Sequence, residues 1–104
     1  LYPSYWENGG YPDWSDKVNK AIANVKTLAK TYKKDVMLVE FGMPASDPQA
    51  SKSALETVLK GLKAESSFKG LFYWEPESEK IRNGYDYGAF QNGKPTIALD
   101  PFRY

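Results

Sequence analysis

The stretch Asp35-Val36-Met37-Leu38-Val39-Glu40-Phe41-Gly42 decides the fold. Its apolar run, 36–39, is short and continuous. A run without alternation predicts a strand covered on both faces, as in a parallel sheet. Gly42 and Pro44 stop it. A second run of the same kind, Leu71-Phe72-Tyr73-Trp74, is closed by Glu75-Pro76. Between them a helix is predicted over about 50–66, with Ala54, Leu55, Val58, Leu59 and Leu62 as its apolar stripe. Lys52, Glu56, Lys60, Lys63 and Glu65 face water, and Ser66-Ser67 and Lys69-Gly70 end the helix. Strand, helix, strand is the pattern of parallel pairing through a crossover, right-handed by the general rule.

Upstream, Val18, Ala21, Ile22, Val25, Leu28, Ala29 and Tyr32 recur at spacings of three and four. They predict a helix over about 14–33 with Asp13 as its N-cap and Asp16 in its first turn. Before it, residues 1–13 are aromatic and rich in Pro and Gly, which predicts a loop following the last residue of a strand. Downstream, 77–94 is polar with a turn at Asn92-Gly93, and Pro95 opens a last short helix over about 95–100. The order is loop, helix, strand, helix, strand, long loop, short helix: an α/β fold in one domain.

Composition narrows the chemistry. The 104 residues carry 14 Lys+Arg and 13 Asp+Glu, a net charge of +1, which offers no field for nucleic acid or an anionic membrane. No apolar run approaches the roughly 20 residues of a membrane span. With neither Cys nor His, thiolate chemistry, Ser-His-Asp triads and the commonest metal ligands are excluded. No phosphate loop or metal-ligand spacing occurs, so no cofactor and no metal is expected. Asp47 and Asp86, in loops, support only a weak calcium reading. What remains is carboxylates, Lys and Tyr.

Ligands of parallel α/β folds sit at the carboxyl ends of the strands. Both strands end there in a carboxylate, Glu40 and Glu75. Trp74, Tyr73, Trp6, Tyr5 and Tyr2 can line the same end, and carboxylates beside flat aromatic platforms are what sugar hydrolysis requires. Each residue also has a plainer reading. A strand-end Glu is often the ion-pair partner of Lys or Arg, which for Glu40 stands level with catalysis. Glu75 reads first as structural or substrate-binding. An aromatic at a strand end is more often core than platform. Adjacent parallel strands would bring Glu40 and Glu75 to about 5 Å, the separation of a retaining pair, so spacing alone leaves that dyad open.

Four motifs, in order, resemble family 53 of the glycoside hydrolases, the endo-β-1,4-galactanases. Tyr2-Pro3-Ser4-Tyr5-Trp6 resembles the Tyr-Pro-x-Trp loop after that family's sixth strand. Residues 32–40 are similar to its passage into the seventh strand, Tyr-x-Lys-x-Val-x-Val-Val-Glu. Gly70-Leu71-Phe72-Tyr73-Trp74-Glu75-Pro76 resembles the eighth strand, Gly-x-Phe-Tyr-Trp-Glu-Pro. The tail from Gly88-Ala89-Phe90 to Leu99-Asp100-Pro101-Phe102 is like the closing segment. Phe41-Gly42-Met43-Pro44 stands where many members have Thr-Ala-Tyr-Pro.

The resemblance implies the C-terminal portion of a (β/α)8 TIM barrel of clan A, from the end of strand six through strand eight and the closing helix. It implies a retaining mechanism with Glu40 as nucleophile and with an acid/base Glu on strand four, outside this chain. It gives Glu75 no catalytic role. Trp74 would floor the sugar site, with Tyr2, Tyr5 and Trp6 near the same subsites. The substrate would be β-1,4-galactan and the location extracellular, periplasmic or at the cell surface. Leu1 is not a start Met, and the chain reads as entered in mid-domain. A full barrel needs about 250 residues. The strands are therefore expected to lack neighbours on at least one edge, and to be covered by the remainder of the barrel or by a self-associated copy. Alone the chain is expected to be inactive, because a nucleophile without a proton donor leaves the glycosidic oxygen unprotonated. Two other readings stand beside this one: a non-catalytic carbohydrate-binding or assembly domain of half-barrel architecture, and a structural α/β domain with Glu40 buried in a salt bridge.

Overall fold

The computed structural model describes residues 1–3, 14–79 and 86–103. Helix α1 is Trp14–Tyr32, strand β1 Val36–Phe41, helix α2 Pro48–Leu62 and strand β2 Phe68–Tyr73. A two-residue hairpin, β3 Phe90–Gln91 and β4 Lys94–Pro95, leads into a closing 3₁₀ helix, Ile97–Phe102. β1 and β2 pair in parallel through the α2 crossover. The α/β class and the parallel pair thus agree with the sequence pattern.

The helices lock together at small residues and caps. Asp47 caps α2, its Oδ1 accepting from the Ala50 N–H at 2.9 Å, with Pro48 in the first turn. α2 therefore starts before the expected residue 50. It ends at Leu62, where Ala64 to Ser67 turn instead: the Glu65 N–H bonds the Leu62 carbonyl and the Phe68 N–H the Glu65 carbonyl. Lys69 and Gly70, expected to break the helix, lie inside β2. A Cβ at Gly61 would stand 2.6 Å from the tip of Ile22, so α1 and α2 approach as closely as a glycine permits. Lys33, at φ 50°, stops α1 in the left-handed region. The stripe predicted for α1 is too wide, because Leu28 and Tyr32 are exposed. Val18 and Ala29 are its buried residues, with Ile22 and Val25 packed against the core. Pro95, expected to open the last helix, sits in β4, and Thr96 caps the 3₁₀ turn. Asn92 and Gly93, both at positive φ (52° and 72°), make the tight turn of the hairpin.

The core joins one face of the sheet to α2. Phe41, Met43, Ala54, Leu55, Val58 and Leu62 are fully buried, and Phe41 meets Tyr73 edge to face at 5.3 Å. The Tyr73 and Ser51 hydroxyls, both buried, bond each other at 2.9 Å. Burial holds the Tyr73 phenol above its ordinary value, partly opposed by the bonds from Ser51 and the Met43 backbone. A raised phenol pKa stabilises the fold fully below the unfolded value of about 10, and that stability is lost as pH rises through the folded value. Urea unfolding at pH 8 and pH 11 should show a larger loss for the wild type than for Tyr73→Phe. At pH 8 the variant should be less stable by about 1–2 kcal/mol, because Ser51 loses its buried partner.

The sheet corrects the expectation of two covered faces. Burial along β1 alternates, and on the face without helices Val39 is 67% exposed and Phe72 60%, with Met37 and Trp74 also exposed. The residues are apolar throughout, but helices pack on one side only. The register is irregular twice. Val36 pairs with Phe68, Leu38 with Leu71 and Phe41 with Tyr73. Met37 thus opposes Lys69 and Gly70, with Gly70 at φ 136°, and Val39 and Glu40 together oppose Phe72. The second irregularity is a bulge at the carboxyl end of β1, a device that re-aims a side chain.

Candidate active site

The bulge sets Glu40. Leu38 and Phe41 both belong to the packed side, so the extra residue between them puts Glu40 beside Val39, opposite Phe72. On the edge of β1 away from β2, the Leu1 nitrogen donates to the Glu40 carbonyl at 2.6 Å and the Gly42 N–H to the Leu1 carbonyl at 3.1 Å. Two bonds flanking Phe41 are the pattern of a parallel neighbour.

The next residue along, Tyr2, supplies the side-chain contact. Its hydroxyl donates to Glu40 Oε2 at 2.8 Å. Among the described residues no Lys or Arg pairs with Glu40. A neutral donor orients the carboxylate without a counter-charge, as suits a nucleophile or base.

Trp74 follows β2, and its N–H donates to the Phe41 carbonyl at 2.8 Å. That bond sets the Trp74 backbone one residue beyond the Phe41–Tyr73 pair, at the carboxyl end of the sheet, with the side chain open to solvent. Glu75 is placed elsewhere. It sits at φ 42° in a turn, exposed, where its carbonyl accepts from the Ser78 N–H at 2.9 Å and its Oε2 from the Ser78 hydroxyl at 3.4 Å. Its carboxylate is thus engaged in its own turn. Tyr5 and Trp6 lie outside the described residues, as does the N-cap expected at Asp13. Asp47 is occupied as a helix cap, and no cluster of metal-ligating side chains occurs among the described residues.

Sequence reasoning missed Tyr87. From the loop between β2 and β3 its ring meets that of Tyr2 edge to face at 6.3 Å and 79°. Its signal was two tyrosines in a segment read as polar, Tyr85-Asp86-Tyr87. Cavities are formed by described residues. One, of about 620 Å3, lies between the loops after β1 and β2, lined by Ala45, Ser46, Glu79, Asp86 and Phe90 among others. Another, of about 490 Å3, lies between α2 and the closing helix. Neither is lined by Glu40 or Trp74. Among the described residues no helix is long and apolar enough to cross a membrane. The chain matches no known family in a scan of protein families and no curated protein at a significant level.

Proposed function

We propose that this chain is the C-terminal part of a retaining endo-glycosidase of the (β/α)8 type, acting on β-1,4-galactan, with Glu40 as its nucleophile. The observation that carries the reading is a carboxylate at the carboxyl end of a parallel strand, held by a phenol rather than a cation, with Trp74 on the adjacent strand end. The four ordered motifs that resemble family 53 support it. So does the open apolar face of the sheet, which a complete barrel would cover.

In this reading Glu40 Oε1 attacks the anomeric carbon while an acid outside this chain protonates the departing oxygen. The Tyr2 hydroxyl stays on Oε2 and fixes the carboxylate plane. Water, deprotonated by the same outside group, then cleaves the glycosyl ester and frees Glu40. Trp74 offers its indole face to the sugar at the cleavage point. Glu75 takes no part in bond breaking. A polymeric substrate puts the reaction outside the cytoplasm.

The test is product analysis with the full-length protein that contains this chain. β-1,4-Galactan should be cut internally, with the first-formed reducing ends in the β configuration by NMR, and faster than mannan, xylan or glucan. Inverted products, or no cleavage of galactan, would overturn the proposal.

A further inference from the structure

We infer that Tyr87 is a positioning residue for Glu40, acting through the ring of Tyr2. The inference rests on the reading of Glu40 as nucleophile. A tyrosine hydroxyl reaches its acceptor only if the ring is kept from turning about its two side-chain torsions. A neighbouring ring packed against it restricts that turning. Tyr87 supplies one, with its ring edge to face against that of Tyr2 at 6.3 Å.

Tyr87 is itself held from both sides. The Asp86 carbonyl accepts from the Ala45 N–H at 2.7 Å, which ties the residue before it to the loop after β1. Gly88, the residue after it, is buried so tightly that a Cβ there would lie 2.1 Å from the Ser78 carbonyl oxygen. The Gly88 carbonyl also accepts from the buried Tyr73 hydroxyl at 3.4 Å. The path therefore runs from core to Tyr87, to Tyr2, to Glu40. Its effect has a sign. A Tyr2 ring left free to turn holds the carboxylate plane less well, so the rate falls while substrate binding does not.

The experiment uses the full-length protein with Tyr87→Leu, Tyr87→Phe, Tyr2→Phe and the double variant Tyr2→Phe/Tyr87→Leu. Tyr87→Leu should lower kcat about three- to tenfold with little change in KM. Tyr87→Phe, which keeps the ring, should retain more of kcat than Tyr87→Leu. The double variant should be no worse than Tyr2→Phe alone. An unchanged kcat in Tyr87→Leu, or an additive double variant, would overturn the inference. Should Glu40→Gln remain active, the functional reading fails instead. NMR of the Tyr2 hydroxyl proton then still decides the positioning role: it should exchange with water faster in Tyr87→Leu, and an unchanged rate refutes it.

Discussion

Glu40→Gln in the full-length protein should lower kcat on β-1,4-galactan by at least about a thousandfold. The amide keeps the shape of the side chain and an oxygen for the Tyr2 hydroxyl, now at 2.8 Å from Glu40 Oε2. It cannot form the glycosyl ester, because a neutral amide is a poor nucleophile. A thousandfold loss corresponds to about 4 kcal/mol of transition-state stabilisation, and removing a nucleophile alone often costs more. Stability should hardly move, by less than about 1 kcal/mol, since among the described residues no cation pairs with this carboxylate. Rates and urea midpoints measured on the same preparation separate the two effects. A variant with near wild-type rate would remove Glu40 from the chemistry. One that unfolds in step with its loss of rate would make Glu40 structural.

The largest effect on stability is expected at Gly88. Alanine there would put a methyl group 2.1 Å from the Ser78 carbonyl oxygen and 3.1 Å from that of Pro76. Neither obstacle is a flexible side chain. Both belong to backbone that is already bonded: the Ala89 N–H donates to the Pro76 carbonyl at 2.7 Å, and the Ser78 N–H to Glu75. The segment after β2 must spread apart to admit the methyl, and the Tyr73 contact with the Gly88 carbonyl goes with it. We expect Gly88→Ala to cost about 3 kcal/mol or more, as severe overpacking does. Gly93→Ala is the control. It meets nothing within 4 Å, and its φ of 72° should cost only about 1 kcal/mol. Thermal unfolding of the two variants should therefore differ clearly. Equal midpoints would mean that the loop after β2 does not pack as described.

What was legible in the sequence was local. The periodicity of α1 and α2 and the short apolar runs at 36–39 and 71–74 sufficed for two helices and a parallel pair. Asp47-Pro48 carried a capping signal that an apolar stripe starting at Ala54 did not require, so α2 was expected too late. The open face was illegible for a different reason. Met37, Val39 and Phe72 are as apolar as buried residues, and nothing in a run of valines tells which face has helices. At the site, Glu40 and Trp74 stood out as strand-end residues. The bulge that aims Glu40 did not, because it arises from the register of β1 against Leu71 and Tyr73, a property of two strands rather than one. The Tyr2–Tyr87 contact joins residues at opposite ends of the chain, and no local pattern reports such a pairing.

The most direct measurement is a covalent trap. A 2-deoxy-2-fluoro-β-galactosyl or galactobiosyl donor with a good leaving group slows release of the glycosyl-enzyme, so the ester accumulates and can be located by peptide mass spectrometry. In the full-length protein the label should be found on Glu40, in the peptide that contains residues 35–42, and Tyr2→Phe should slow its formation. A label on any other carboxylate, or turnover of galactan with no labelled residue, would contradict the account.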